Sequence, residues 1–292
     1  MRISTTTEKI TEYFETEDVI KLLARSGFDA IDFSFCDYVE KHEGEQEIKE
    51  YFHSLKALAE DEGVCFNQAH AVFHSSRAND EKWNKKRFDE IVRNIRSASY
   101  LGVENIVVHP CQHLWYAKHS EELFEYNMEF YTKLIPYCEE YGIHIAVENM
   151  WQSYNGKIVH STCSRPEEFI RYIDSLNSPW IVGCLDIGHT MLVSEDPAAF
   201  IKALGSKRLK CLHVHDVDGV HDSHTLPYLG IIKWDEVMKA LGDIGYTGDI
   251  TFEATNFFSN RPKELIASSA EYMAQTGRVL AEMTGLFTAG GK

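Results

Sequence analysis

The chain lacks the marks of several protein classes. No run approaches the ~18 consecutive apolar residues of a membrane-spanning helix, and the opening MRISTTTEKI has no apolar signal core. No Lys/Arg-rich stretch occurs, and the formal net charge is −16. Such a surface repels phosphate backbones and anionic headgroups, so neither nucleic acid nor membrane is an expected partner. The seven cysteines (Cys36, Cys65, Cys111, Cys138, Cys163, Cys184, Cys211) include no CxxC pair, and several sit inside apolar runs. They read as buried reduced thiols rather than a disulfide framework, which points to a cytoplasmic setting.

What is present is a soluble composition with an ordered alternation. Of 292 residues, 44% are apolar and 25% charged, enough to bury a sizeable core. Strand-like runs fall at 2–5, 30–35, 64–71, 105–110, 144–150, 181–189, 209–216 and 249–255. Amphipathic helical patterns lie between them, at 16–27, 46–63, 84–102, 121–142, 165–176, 197–205 and 233–245, with a last one over 262–284. Eight strand–helix units without a linker predict an α/β fold, a single (β/α)8 barrel over 1–286, with a flexible tail at 287–292. An open doubly wound sheet is the other option, but no GxGxxG turn follows the first strand. Connections from helix to strand are short. Those from strand to helix are long (36–45, 72–83, 111–120, 150–164, 216–232), as on the catalytic face of a barrel.

The strand ends carry the chemistry. His70, His109, Glu148, Asp186 (with His189 just beyond), His213, His215 and Glu253 each close or follow an apolar run such as IVVH, IAVE, GCLD or ITFE. A lone Glu or His at such a position often has a purely structural task. Three acids aimed at one barrel mouth would repel each other strongly unless a cation sits among them. Glu148, Asp186, His213 and Glu253 come from consecutive predicted strands and can converge. Three carboxylates and one imidazole suit Zn²⁺, Mn²⁺, Mg²⁺ or Co²⁺. His215 is an alternative on the same strand face as His213.

The pieces VEN (147–149), LDIGH (185–189), HVHD (213–216), GIIKW (230–234) and GYTGDITFE (245–253) resemble the xylose isomerase-like TIM barrels, which include sugar epimerases, sugar phosphate isomerases and endonuclease IV. The resemblance implies that Glu148, Asp186, His213 and Glu253 hold a divalent metal and that His189 contacts substrate. Endonuclease IV-like members also hold additional zinc through an Asp-x-His, here Asp222 and His224, and through histidines matching His70 and His109. A loop-closing hydrogen bond between Asp222 and His224 is the alternative. Asp216, Asp218 and His221 read as solvated or supporting groups.

The expected chemistry is a metal-dependent isomerase or epimerase of a small sugar or sugar phosphate. The cation would stabilise an enediolate while Glu148 and Glu253 remove and return a proton. Trp115 and Trp151 could cover a sugar face or pin their loops. Lys157, Arg165 and Arg261 are candidate phosphate anchors. Two departures weaken a close match to ketose 3-epimerases: Asp216–Asp218 stand where an Arg is usual, and Tyr154 where a Glu is. The other readings are an endonuclease IV-like multinuclear zinc phosphodiesterase, a metal-dependent polyol dehydratase and a non-catalytic carbohydrate-binding barrel. Homo-oligomerisation is common in the group.

Overall fold

Short β-branched and apolar runs become parallel strands because each is buried on both faces, and each amphipathic stretch becomes a helix that covers them. The computed structural model describes residues 1–285; the expected tail at 287–292 lies outside them. Eight strands form one parallel sheet: β1 (Ile3–Thr6), β2 (Ala30–Ser34), β3 (Cys65–His70), β4 (Asn105–Val108), β5 (His144–Glu148), β8 (Ile181–Asp186), β9 (Leu209–His213) and β10 (Ile250–Phe252). Their order is β10-β1-β2-β3-β4-β5-β8-β9. A parallel bridge between Val214 and Phe252 joins the two ends and makes the sheet a barrel. The fold is therefore the expected α/β barrel.

Helices form the outer layer: α1 (Thr16–Arg25), α2 (Glu45–Asp61), α3 (Glu81–Leu101), α4 (Tyr116–Tyr141), α5 (Pro166–Leu176), α6 (Ile187–Leu192), α7 (Pro197–Arg208), α8 (Trp234–Asp243) and α9 (Ile266–Met283). On α1, Val19, Ile20 and Leu23 form the buried stripe, each contributing about 1.5–3 kcal/mol on burial. Gly102 and Gly142 end α3 and α4 at φ 79° and 66°. That left-handed backbone is cheap only for glycine, and it turns the chain directly into β4 and β5.

Strand periodicity places the site. Val107, Ala146, Val182, Cys184 and Cys211 form a small apolar cluster of their own. Two residues after Ala146, Cys184 and Cys211 come Glu148, Asp186 and His213, on the same face and nearer the mouth. The register pairs Asp186 with His213 and Glu148 with Cys184. The barrel thus carries an apolar plug beneath a polar ring.

Two elements differ from expectation. The strand predicted over 181–189 stops at Asp186, whose Oδ1 accepts from His189 N at 2.6 Å and caps α6. Capping satisfies an amide that a longer strand would leave unpaired. Within the loop at 150–164, Trp151–Tyr154 (β6) and Lys157–His160 (β7) form an antiparallel hairpin. It turns on Asn155 and Gly156 at φ 49° and 73°, the Asn-Gly signature of a tight hairpin.

Candidate metal centre

Glu148, Asp186, His213 and Glu253 each offer a ligand atom, and these atoms lie within 4.8 Å of one another. His213 is the hub. Its Nδ1 is 3.3 Å from both Glu148 Oε1 and Glu253 Oε2, and 4.0 Å from Asp186 Oδ2. Glu148, Asp186 and His213 are buried, and the Glu253 side chain is 12% exposed. Although His213 sits close to two carboxylates, neither contact has hydrogen-bond geometry: both its ring nitrogens are buried and unpartnered.

Two further groups adjoin this one. His70 Nε2 is 3.1 Å from His109 Nε2, and the two nitrogens lie 3.6 and 3.0 Å from Glu148 Oε2. On the other side, Asp222 Oδ2 is 3.4 Å from His189 Nε2 and 3.2 Å from His224 Nε2. Glu148 and the histidines around it could therefore hold more than one ion. His215 also approaches the second group, but its Nε2 is 3.0 Å from both oxygens of Asp186, where it orients that carboxylate.

The main chain sets the imidazole tautomers. Nδ1–H of His70 donates to Ala71 O (2.7 Å), that of His189 to Asn149 O (2.9 Å) and that of His224 to Glu253 O (2.8 Å). His189 and His224 then present the Nε2 lone pair to Asp222, and His70 presents its own to His109 Nε2 with Glu148 beyond. Lone pair against carboxylate is repulsive unless a proton or a cation intervenes. With protons alone, and against the burial of each ring, Glu253 and Glu148 raise His213 to about 9, and Asp222 and Glu253 raise His224 to about 10. Burial pushes Glu253 up to about 7 despite His213 and His224 beside it. Cations relieve the same strain without charging the rings. Besides the two His213 nitrogens, Glu148 Oε2, His215 Nδ1 and Asp222 Oδ1 are buried without a hydrogen-bond partner. Such a cluster of unmet acceptors fits divalent ions.

The motif residues have readable tasks. Asn149 clamps β5 to β8: its Oδ1 accepts from Asp186 N (2.7 Å), and its Nδ2 donates to Asp186 O (2.9 Å) and Thr190 Oγ1 (3.1 Å). A Cβ on Gly188 would meet His215 Cε1 at 2.1 Å, so only glycine lets that ring approach. Asp216 is fully buried and holds the β9–α8 loop, accepting from Val217 N, Tyr228 N, Ile232 N and Trp234 Nε1 at 2.8–3.1 Å. It is a loop anchor. Asp218 and His221 pair with each other in solvent (2.8 Å).

A cavity of about 510 Å³ opens over these groups; His70, His109, Glu148, His189, Asp222, His224 and Glu253 line it. Trp151 lines it too, while its Nε1 donates to Asp222 Oδ2 at 3.0 Å. Trp115 does not; it stacks on Tyr154 at 4.5 Å. The suggested phosphate anchors also lie elsewhere. Arg165 is exposed and donates weakly to the Tyr116 hydroxyl (3.5 Å), Arg261 covers the Phe257 ring, and Lys157 is exposed on the hairpin. Among residues that sequence reasoning passed over, Glu8, Gln112 and Gln152 line the cavity. Gln152 belongs to the hairpin, whose Asn-Gly turn was the available signal.

The model of the xylose isomerase-like TIM barrel family matches residues 20–276. The chain belongs to that family. An uncharacterised protein of Methanocaldococcus jannaschii, MJ1311, is 30% identical over 199 residues, 66% of this chain and 64% of that protein. Fructoselysine 3-epimerase of Escherichia coli O157:H7 is 27% identical over 132 residues, 45% of this chain and 46% of the enzyme. The chain thus spans about half to two thirds of the length of these relatives. Among solved structures, the IOLI protein "with a binding zinc atom" superposes with a TM-score of 0.76 at 19% identity, covering 99% of this chain and all of that one. At that identity the likeness shows the fold.

Proposed function

We propose that this family member is a divalent-metal-dependent isomerase or epimerase of a small carbohydrate. The observation that carries the reading is the convergence of Glu148, Asp186, His213 and Glu253 within 4.8 Å, with Glu148 and Glu253 lining a cavity. These four residues would hold a divalent ion, which would supply electrophilic polarisation of substrate oxygen. The protein supplies the proton transfers. Glu148, on β5, and Glu253, just after β10, approach His213 from two sides at 3.3 Å, so their free oxygens can flank a substrate carbon and remove and return its hydrogen. His189, held by Asn149 O, presents Nε2 to a substrate oxygen. Trp151 walls the cavity and positions Asp222. The kinship with an enzyme named fructoselysine 3-epimerase supports the same class of reaction.

Zinc, manganese, magnesium and cobalt all suit three carboxylates and an imidazole. The test is metal analysis of purified protein combined with solvent-deuterium exchange over a panel of ketoses and aldoses. At least one equivalent of metal and exchange at the carbon next to the carbonyl are expected. Full activity in metal-free protein would remove the proposal.

A multinuclear phosphodiester hydrolase is the second reading, favoured by the adjoining His70–His109–Glu148 and His189–Asp222–His224 groups. The net charge of −16 and a cavity lining with no Lys or Arg among the described residues weigh against a nucleic acid substrate. Three equivalents of zinc with cleavage of an abasic-site duplex, and no carbon–hydrogen exchange, would establish it instead. Polyol dehydration at the same four ligands would show as loss of water from the substrate in the same exchange samples.

A further inference from the structure

Glu8 stands apart from the groups used above. It follows β1, and β1 lies four strands from β5 in either direction around the eight-stranded ring. Glu8 therefore faces the cavity from the side opposite Glu148, in the same lining as His70, His224 and Glu253. Its backbone is fixed, with N–H donating to Thr6 Oγ1 at 3.2 Å. Among the described residues, no hydrogen bond or ion pair reaches its carboxylate. Burial pushes this carboxyl above its ordinary value, with His70 pulling it back. A half-buried carboxylate without a partner loses hydration that nothing in the protein returns. The strand-end acids Glu148, Asp186 and Glu253 converge with His213 within 4.8 Å; Glu8 is not in that group and follows the strand opposite β5.

The charge of the rest of the cavity narrows what can meet Glu8. No lining residue is Lys or Arg, and Asp222, Glu148 and Glu253 are the other acids. His113, at the rim, sits below the ordinary histidine value because it is buried, and it pairs with Ser76 Oγ at 2.6 Å. A phosphate at the end of the substrate remote from the metal ligands would find the Glu8 carboxylate and no Lys or Arg to offset it. Hydroxyl groups there would find a strong acceptor able to take two O–H donors at once.

Building on the reading of this site as a sugar isomerase or epimerase, we propose that Glu8 is the specificity-determining residue for the remote end of the substrate. It binds the hydroxyls of an unphosphorylated polyhydroxy carbonyl compound and rejects the phosphorylated counterpart. Glu8 is a recognition group and takes no part in the proton transfers.

The experiment is titration calorimetry of manganese-loaded protein with D-fructose and with D-fructose 6-phosphate, for wild type, Glu8→Gln and Glu8→Lys. Metal content and thermal midpoint of each variant serve as controls for folding. Wild type is expected to bind the neutral sugar more tightly than the phosphate. Glu8→Gln should weaken fructose binding by roughly 10- to 100-fold, the range for a lost charge-assisted hydrogen bond. Glu8→Lys should reverse the preference toward the phosphate. Fructose binding unchanged in Glu8→Gln, or wild type preferring the phosphate, overturns the role of Glu8 and leaves the metal-centre reading standing. Metal-loaded wild type that binds neither sugar, and exchanges no hydrogen in the ketose and aldose panel, overturns both.

Discussion

The two mouths of the barrel bury polar side chains in similar style and treat them in opposite ways. At the end where the strands begin, the network around Asp249 and Asn67 is completed by the protein itself. Asp249 accepts from Arg2 Nη2 at 2.8 Å and from Asn67 Nδ2 at 3.1 Å, Asn67 also donates to Thr251 Oγ1, and Ser4 Oγ donates to Asn67 Oδ1 at 2.8 Å. At the end where the strands finish, His213, Glu148, His215 and Asp222 keep buried atoms with no partner. A satisfied network stabilises and is chemically silent. An unsatisfied one costs free energy unless something outside the chain completes it. That asymmetry supports the proposed site at the mouth where the strands finish, independently of any motif.

Four experiments would break or sharpen this contrast. The largest effect is expected from Glu148→Gln with Glu253→Gln: bound metal is lost and carbon–hydrogen exchange falls by ~10³-fold or more, the scale of acid–base catalysis together with electrostatic stabilisation. Retention of metal by the double variant would end the four-ligand centre. Next is Gly188→Ala, which drives a methyl group into the His215 ring. A stability loss of about 1–3 kcal/mol is expected from overpacking, with weakened metal affinity because Asp186 loses its orienting partner; unchanged denaturation and metal titrations would contradict the role given to His215.

At the opposite mouth, Asp249→Ala should cost about 1–3 kcal/mol by stranding Asn67 and Arg2, leaving metal content untouched. A drop in metal content would erase the distinction between the two ends. The most gradual effect, spread over pH, concerns the flank. Burial raises Glu168 from 4.5 to about 7, although the Tyr116 hydroxyl donates to it at 3.0 Å. Between those values the folded state keeps a proton that the unfolded state has released. Stability from this group is therefore full below about pH 4.5 and declines as pH rises through 7, by at most about 1.4 kcal/mol per unit. Denaturation midpoints for Glu168→Gln, compared with wild type from pH 4.5 to 7, should lack that slope. Parallel pH profiles would refute it.

The fold was legible because eight apolar runs recur with helices between them, and strand ends were legible because a charged residue after IAV or GCL contradicts its surroundings. The hairpin at 151–160 was hidden inside a long loop, although Asn155–Gly156 announced it. The end of β8 was misplaced because Ile187 and Gly188 continue an apolar run; only the capping geometry of Asp186 ends it. Glu8 gave no contrast, lying in the polar run TTTEK. Trp115 and Arg261 looked suited to substrate, yet their rings and charges are spent on Tyr154 and Phe257. Composition tells which groups are available, whereas only the packing tells which are already engaged.

The three histidines whose Nδ1–H is given to a carbonyl imply something about how this centre can change. Their aim is encoded in the path of the backbone at Ala71, Asn149 and Glu253, so exchanging nearby acids would alter charge and metal preference without re-pointing these three imidazoles. A library varying only Asp222 and Glu253 side chains would thus sample new ion selectivities on an unchanged nitrogen frame.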